Sequence, residues 1–299
     1  MGVVCAALVA LLGSALAQER IVSLHQKTTD VLFDLGLAEA VVGRSFHSSP
    51  FVDPASGVSA EDLPDIGFEF NVSAEAVLAL SPTLIVGTED NGPPQAIAQL
   101  RGAGVPVLLV SAQSDLEGSA ARIREIAAAL GVSGRGEALL ERLEAQRQAL
   151  EARLAATPER VGGLVMVGWS GAPQACGGDS DFHAMYVLAG GHNLLEALNG
   201  CPEINPEALP ELPVDVLFFP ALSQYEAVGG VAGLRARPGF AQLRAVQTGR
   251  AVIMESPAFR GMGASAPRFA QAIHEALYEH GGVVLVTPEG AVTPYAEAP

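Results

Sequence analysis

The chain has 299 residues, 49% of them hydrophobic, which is enough for two domains with cores of their own. Its formal net charge is -16 and Lys27 is the sole lysine, so phosphate backbones and anionic lipid surfaces repel it and nucleic acid is a poor partner. The acidity serves solubility and is also suited to docking on a basic partner.

Residues 1–17 form an apolar run that closes on the small-x-small signature Ala15-Leu16-Ala17. The run is too short to cross a bilayer and is followed at once by polar residues, so it reads as a signal peptide, although no Lys or Arg precedes it. Its removal takes Cys5 away and leaves Cys176 and Cys201 in an oxidising compartment. A disulfide between them would close a loop of about 25 residues and contribute on the order of 3 kcal/mol. Two unpaired thiols are the alternative; the absence of CxxC spacing makes a zinc site a weak reading.

After the signal, short apolar strands alternate with helices. Strands are expected over 21–24, 41–43, 84–86 and 107–110, and helices over 28–37, 73–80, 94–103 and 116–130. A long helix follows over 137–156, with Leu139, Leu143, Leu150 and Leu154 on one stripe. The alternation then restarts, with strands at 163–167, 216–219 and 251–253 and helices at 182–189, 206–209 and 267–280. This pattern predicts an α/β protein of two Rossmann-like lobes joined by a single long α-helix, with parallel or mixed sheets covered on both faces. The expected boundaries are an N-terminal lobe over 18–133, a linking helix over 134–157, a C-terminal lobe over 158–282 and a tail over 283–299. An ungapped self-alignment of 72–85 with 204–217 pairs Glu75 with Glu207 and supports two related lobes.

Several stretches together resemble one family. They are Ile21-Val-Ser-Leu24 with Thr29-Asp-Val-Leu32, the loop 43–50, Pro64-Asp-Ile-Gly67, Ser73-Ala-Glu75, Leu80-Ser-Pro-Thr-Leu-Ile-Val86, Gly92-Pro-Pro94, Leu188-Ala-Gly-Gly-His-Asn193 and 261–267. Their order and spacing, over roughly residues 19 to 282, are similar to those of the substrate-binding proteins of haem, cobalamin and ferric-siderophore ABC importers, closest to the haem branch. The resemblance implies a monomer in the periplasm that spans no membrane and holds a transported ligand in a cleft between two lobes, without enzymatic activity. It also implies one exposed glutamate per lobe, here Glu75 and Glu207, docking on a permease dimer. A first-turn glutamate is favoured by the helix dipole in any protein, so both readings of these residues stand.

The haem branch typically carries a tyrosine after Asp-x-Gly, and here that position is Phe68, which cannot ligate iron. Another donor is then needed, and matched loops offer His47 and His25 first, then Met262 and Tyr225. Arg44 and Arg260 are candidate partners for haem propionates. Phe46, Phe51, Phe68, Phe70 and Trp169 are candidates to stack on a flat macrocycle or to pack in a core. His183 and His192 lie near second-lobe loops; His274 and His280, on the last helix, read as structural or exposed. No intrinsic cofactor is expected, with haem as the transported ligand and cobalamin, a ferric siderophore or another metal chelate as alternatives. An exported Rossmann-type oxidoreductase is remote: Gly261-x-Gly263-x-x-Ala266 lacks a following strand with an acid about 20 residues on.

Overall fold

Ile21 and Val22 begin a strand because an apolar, β-branched pair can be buried on both faces of a parallel sheet. In a computed structural model, the described residues are 19–48, 53, 55–157, 159–170, 172–255, 262–263, 265–287 and 290–296. The expected signal peptide therefore lies outside the described residues, as do Phe51 and Arg260. The chain divides into two compact units, Met1–Arg142 and Leu143–Pro299. It passes from one to the other inside a 23-residue helix, Ser133–Ala155, whose Leu139, Leu143 and Leu150 are buried.

The first unit is a four-stranded parallel sheet in the order β2-β1-β3-β4, from β1 (Ile21–Ser23), β2 (Val41–Arg44), β3 (Leu84–Thr88) and β4 (Val107–Val110). Helices α1 (Gln26–Asp34), α2 (Ala74–Ala79) and α3 (Pro94–Gly102) connect the strands, and α4 (Leu116–Ala129) follows β4. Val22, Leu24, Ile66, Val72, Val77, Ile85, Ile97 and Leu100 share one core.

The second unit repeats this order. Strand β5 (Val161–Ser170) pairs in parallel with β7 (Gly191–Asn193) on one side and β8 (Val216–Phe219) on the other, and β8 pairs with β9 (Ala251–Met254). The order β7-β5-β8-β9 thus matches β2-β1-β3-β4. The aligned segments coincide as well. Helix α2 and β3 correspond to the 3-10 helix Pro206–Glu211 and β8, with Val72 and Val77 buried in one and Ile204 and Leu209 in the other. The second helix is of 3-10 type because Pro210 within it has no N–H to give to an α-turn.

Two features extend the second unit. The far end of β5 folds back on β6 (Ala172–Ala175) in an antiparallel hairpin. The expected tail beyond 282 is a correction: Val283–Val286 forms β10, parallel to β9, and Val292–Pro294 forms β11, antiparallel to β10. The Val-Val-Leu-Val run is an apolar strand, and Val284 and Val286 are buried in it.

Cys176 and Cys201 form a disulfide across 25 residues of the second unit. The enclosed segment is also held by backbone bonds, with Gly177 N–H donating to Gly200 O and Gly178 N–H to Glu196 O. A Cβ on Gly177 would overlap Leu198, so this approach requires glycine. Replacing both cysteines with serine is expected to lower stability by about 3 kcal/mol, read by thermal or urea unfolding, because the unfolded chain loses a loop constraint. An unchanged unfolding transition would show that the backbone bonds alone hold the segment.

Candidate functional site

Three segments meet beside the end of β1: residue 25, the loop after β2 at 45–48, and the turn 65–71. The chain itself brings the last two together. Ile66 N–H donates to Arg44 O at 3.1 Å and Phe46 N–H to Gly67 O at 2.8 Å, continuing the pairing of β2 past its end. Gly67 has φ 93°, in the left-handed region that glycine tolerates, and this reverses the chain so that Phe68 and Phe70 emerge.

Asn91, buried at the end of β3, locks this arrangement. Its side-chain N–H groups donate to Leu24 O and to Glu69 O at 3.2 and 2.9 Å, and its Oδ1 accepts from Thr88 N–H at 2.7 Å. One carboxamide therefore ties β1, the 65–71 turn and β3 together. Gly87 leaves the room for it, since a Cβ there would lie 2.4 Å from Asn91 Oδ1.

The surface so built is aromatic. Phe46, Phe68 and Phe70 are 53%, 49% and 63% exposed, unusual for phenylalanine. The Phe46 and Phe68 ring centroids are 4.8 Å apart, and each lies 5.3 Å from the His47 ring at a steep angle. Behind His47 sits Glu69, almost fully buried, whose Oε1 is 2.9 Å from His47 Nδ1. Burial works to raise the Glu69 carboxyl. The hydrogen bond from His47, its own amide and the charges of His25 and His47 outweigh that and hold it below the usual range. A carboxylate only accepts, so His47 Nδ1 carries a proton, and Nε2 is the ring nitrogen that Glu69 does not engage.

The other expected ligand residues are placed differently. His25 is the N-cap of α1, its Nδ1 accepting from Lys27 N–H at 3.0 Å, with Phe70 edge-on to its ring. Arg44, a candidate propionate partner, is engaged within the first unit. Its guanidinium donates to Ala60 O, Ser45 O, Phe46 O and Asp65, so it pins the Phe46–His47 loop, and its side chain is largely buried. Tyr225 is a correction. It lies in the second unit's core at 1% exposure, packed on Phe219 and Tyr295, with its hydroxyl accepting from Val231 N–H. Met262 is 2% exposed, with φ 45°. Trp169 packs against Phe240 under the guanidinium of Arg237. His274 is buried and stacked on Tyr278, and His280 faces Glu275. His183 meets Asn193, while His192 is exposed.

Glu75 and Glu207 occupy matching local settings, one in each unit. Each is exposed in the first turn of a short helix, capped by Ser73 in one case and Asn205 in the other. Glu69 and Asn91 escape a reading of spacing, because His47 for the one and Leu24 and Glu69 for the other lie more than twenty positions away in the chain. The only local sign is a polar residue set between exposed aromatics. Among the described residues no group of three His, Cys, Asp or Glu side chains is placed to hold a metal ion alone, and no helix is long and apolar enough to cross a membrane.

Residues 21–258 match the family model described as periplasmic binding protein. The chain is similar to the periplasmic haem-binding protein RhuT from Roseiflexus sp. RS-1 in its apo form, with a TM-score of 0.78 and 31% identity, covering 87% of this chain and 98% of that one. It is also similar to the periplasmic haem-binding protein HutB of Vibrio cholerae, with a TM-score of 0.75 and 27% identity over 87% of this chain and 99% of that one. The vitamin B12-binding protein of Yersinia pestis (strain Pestoides F) is 31% identical over 93 residues, so the match spans only 31% of either chain.

Asn91→Ala is expected to cost about 1–3 kcal/mol, since it strips buried carbonyls and an amide of a partner at once. Urea unfolding measures the loss; wild-type stability would show that Asn91 holds nothing together.

Proposed function

The chain belongs to the periplasmic binding protein family, and from that premise we propose that it is exported to the periplasm, captures haem and delivers it to the permease dimer of an ABC importer. The family is one of substrate-binding transport proteins, and the role asks for capture without chemistry. The observation that carries the haem reading is the half-exposed phenyl patch set around an imidazole. It occurs in a chain similar to haem-binding proteins along nearly their whole length. A porphyrin is a large flat apolar plate with a metal at its centre, and phenyl rings beside a nitrogen donor match both properties. Burying the exposed part of these rings against a macrocycle supplies binding energy in proportion to area, at about 25 cal/mol per Å².

Cobalamin is the second reading, supported by the short match to vitamin B12-binding proteins. Titration of the purified protein with hemin is expected to give a shifted, saturable Soret band, and cyanocobalamin no comparable binding. A hemin spectrum identical to that of hemin in buffer removes the haem reading, and tight cyanocobalamin binding replaces it.

Docking rests on Glu75 and Glu207, two exposed carboxylates in repeated settings that suit a two-fold symmetric basic partner. The double variant Glu75→Lys, Glu207→Lys is expected to abolish transporter-dependent uptake while leaving hemin affinity at the wild-type value. Retained uptake, or a loss of affinity, would sink this assignment.

A further inference from the structure

The two histidines beside the phenyl patch have opposite proton arrangements, and this separates them as iron ligands. A neutral imidazole coordinates through its unprotonated nitrogen. In His25 that nitrogen is Nδ1, and it is occupied by the Lys27 N–H that caps α1, so the proton sits on Nε2. In His47 it is Nδ1 that is engaged, donating to Glu69 Oε1 at 2.9 Å, so the nitrogen the ring can offer a metal is Nε2. The His47 side chain is a third exposed, whereas His25 is buried.

Resting on the haem reading, we propose that His47 Nε2 is the iron ligand and that Glu69 is its positioning residue. The pair replaces the phenolate that Phe68 cannot supply. A second-sphere carboxylate of this kind fixes the tautomer, orients the ring and raises its basicity toward the metal. Glu69 is suited to the task because it cannot turn away. Its residue is 5% exposed, its carbonyl is tied to Asn91 and Gly92, and its Oε1 faces His47. Its Oε2 has no hydrogen-bond partner among the described residues, so His47 is the one side chain that donates to the carboxylate there, beside Glu69's own amide. The neighbouring rings fit the same geometry. The plane of an axial imidazole contains the iron–nitrogen axis, so a coordinated porphyrin stands perpendicular to it. Phe46 and Phe68 stand at 70° and 67° to the His47 ring and are tilted 43° to each other, so they flank the imidazole edge and offer hydrocarbon beside such a plate without both lying flat on it.

The test compares hemin complexes by optical and EPR spectroscopy and by redox titration. Wild type is expected to show an imidazole-ligated ferric spectrum. His47→Gly should lose it and regain it with added imidazole. His25→Asn, which keeps a side chain able to cap α1, should leave it unchanged. Glu69→Gln should keep the ligand but raise the iron midpoint potential and weaken hemin by about 10–100-fold. A His47→Gly spectrum equal to wild type, or a Glu69→Gln potential equal to wild type, overturns the proposal while the haem reading stands. Failure of wild type to bind hemin overturns both.

Discussion

Parallel pairing of β1 with β2 on one side and β3 on the other brings the chain reversals after these strands to one edge of the sheet. Strands can be aligned by their own ladders, but the loops that leave them cannot. Here the missing constraint is the Asn91 carboxamide, which bonds to the backbone of Leu24 after β1, of Glu69 in the 65–71 turn and of Thr88 in β3, from a position where water does not compete. Everything that gives the patch its shape, including the outward Phe68 and Phe70 and the buried Glu69 between them, depends on that turn keeping its place.

The alternation of outward phenyl and inward carboxylate across Phe68-Glu69-Phe70 has an electrostatic side. A carboxylate taken out of water is costly unless it is matched, and His47 with its N–H and the nearby His25 supply the match. The nearby cation Arg44 is engaged by carbonyls of Ser45, Phe46 and Ala60 and by Asp65 at the start of the 65–71 turn. The site therefore presents an imidazole framed by hydrocarbon, with the buried carboxylate kept behind it.

The fold was legible where periodicity and punctuation are local. Strands β4 and β8 fall where the apolar runs place them, and the ungapped alignment of 72–85 with 204–217 marks a real repetition of topology. Strands β10 and β11 were not, because a four-residue apolar run after a glycine pair looks like a loose end until β9 is there to pair with it. Site residues divide in the same way. His47 and the three phenylalanines stand out as residue types in matched loops. Arg44 and His25 stand out too, yet fold into local hydrogen bonds, since an arginine in a loop serves a carbonyl as readily as a carboxylate and histidine is an uncommon helix cap. Glu69 acquires its meaning only from His47, more than twenty positions away.

The exposure of Phe46, Phe68 and Phe70 has a consequence for the protein in solution. A patch that attracts a flat apolar molecule also attracts the same patch on another copy, and two copies meeting face to face would cover both. The net charge of -16 on each copy opposes that encounter at long range, far more than it opposes a small plate with one or two carboxylates. Acidity thus acts as a colloidal filter: it keeps sticky surfaces from finding each other and leaves them open to cargo.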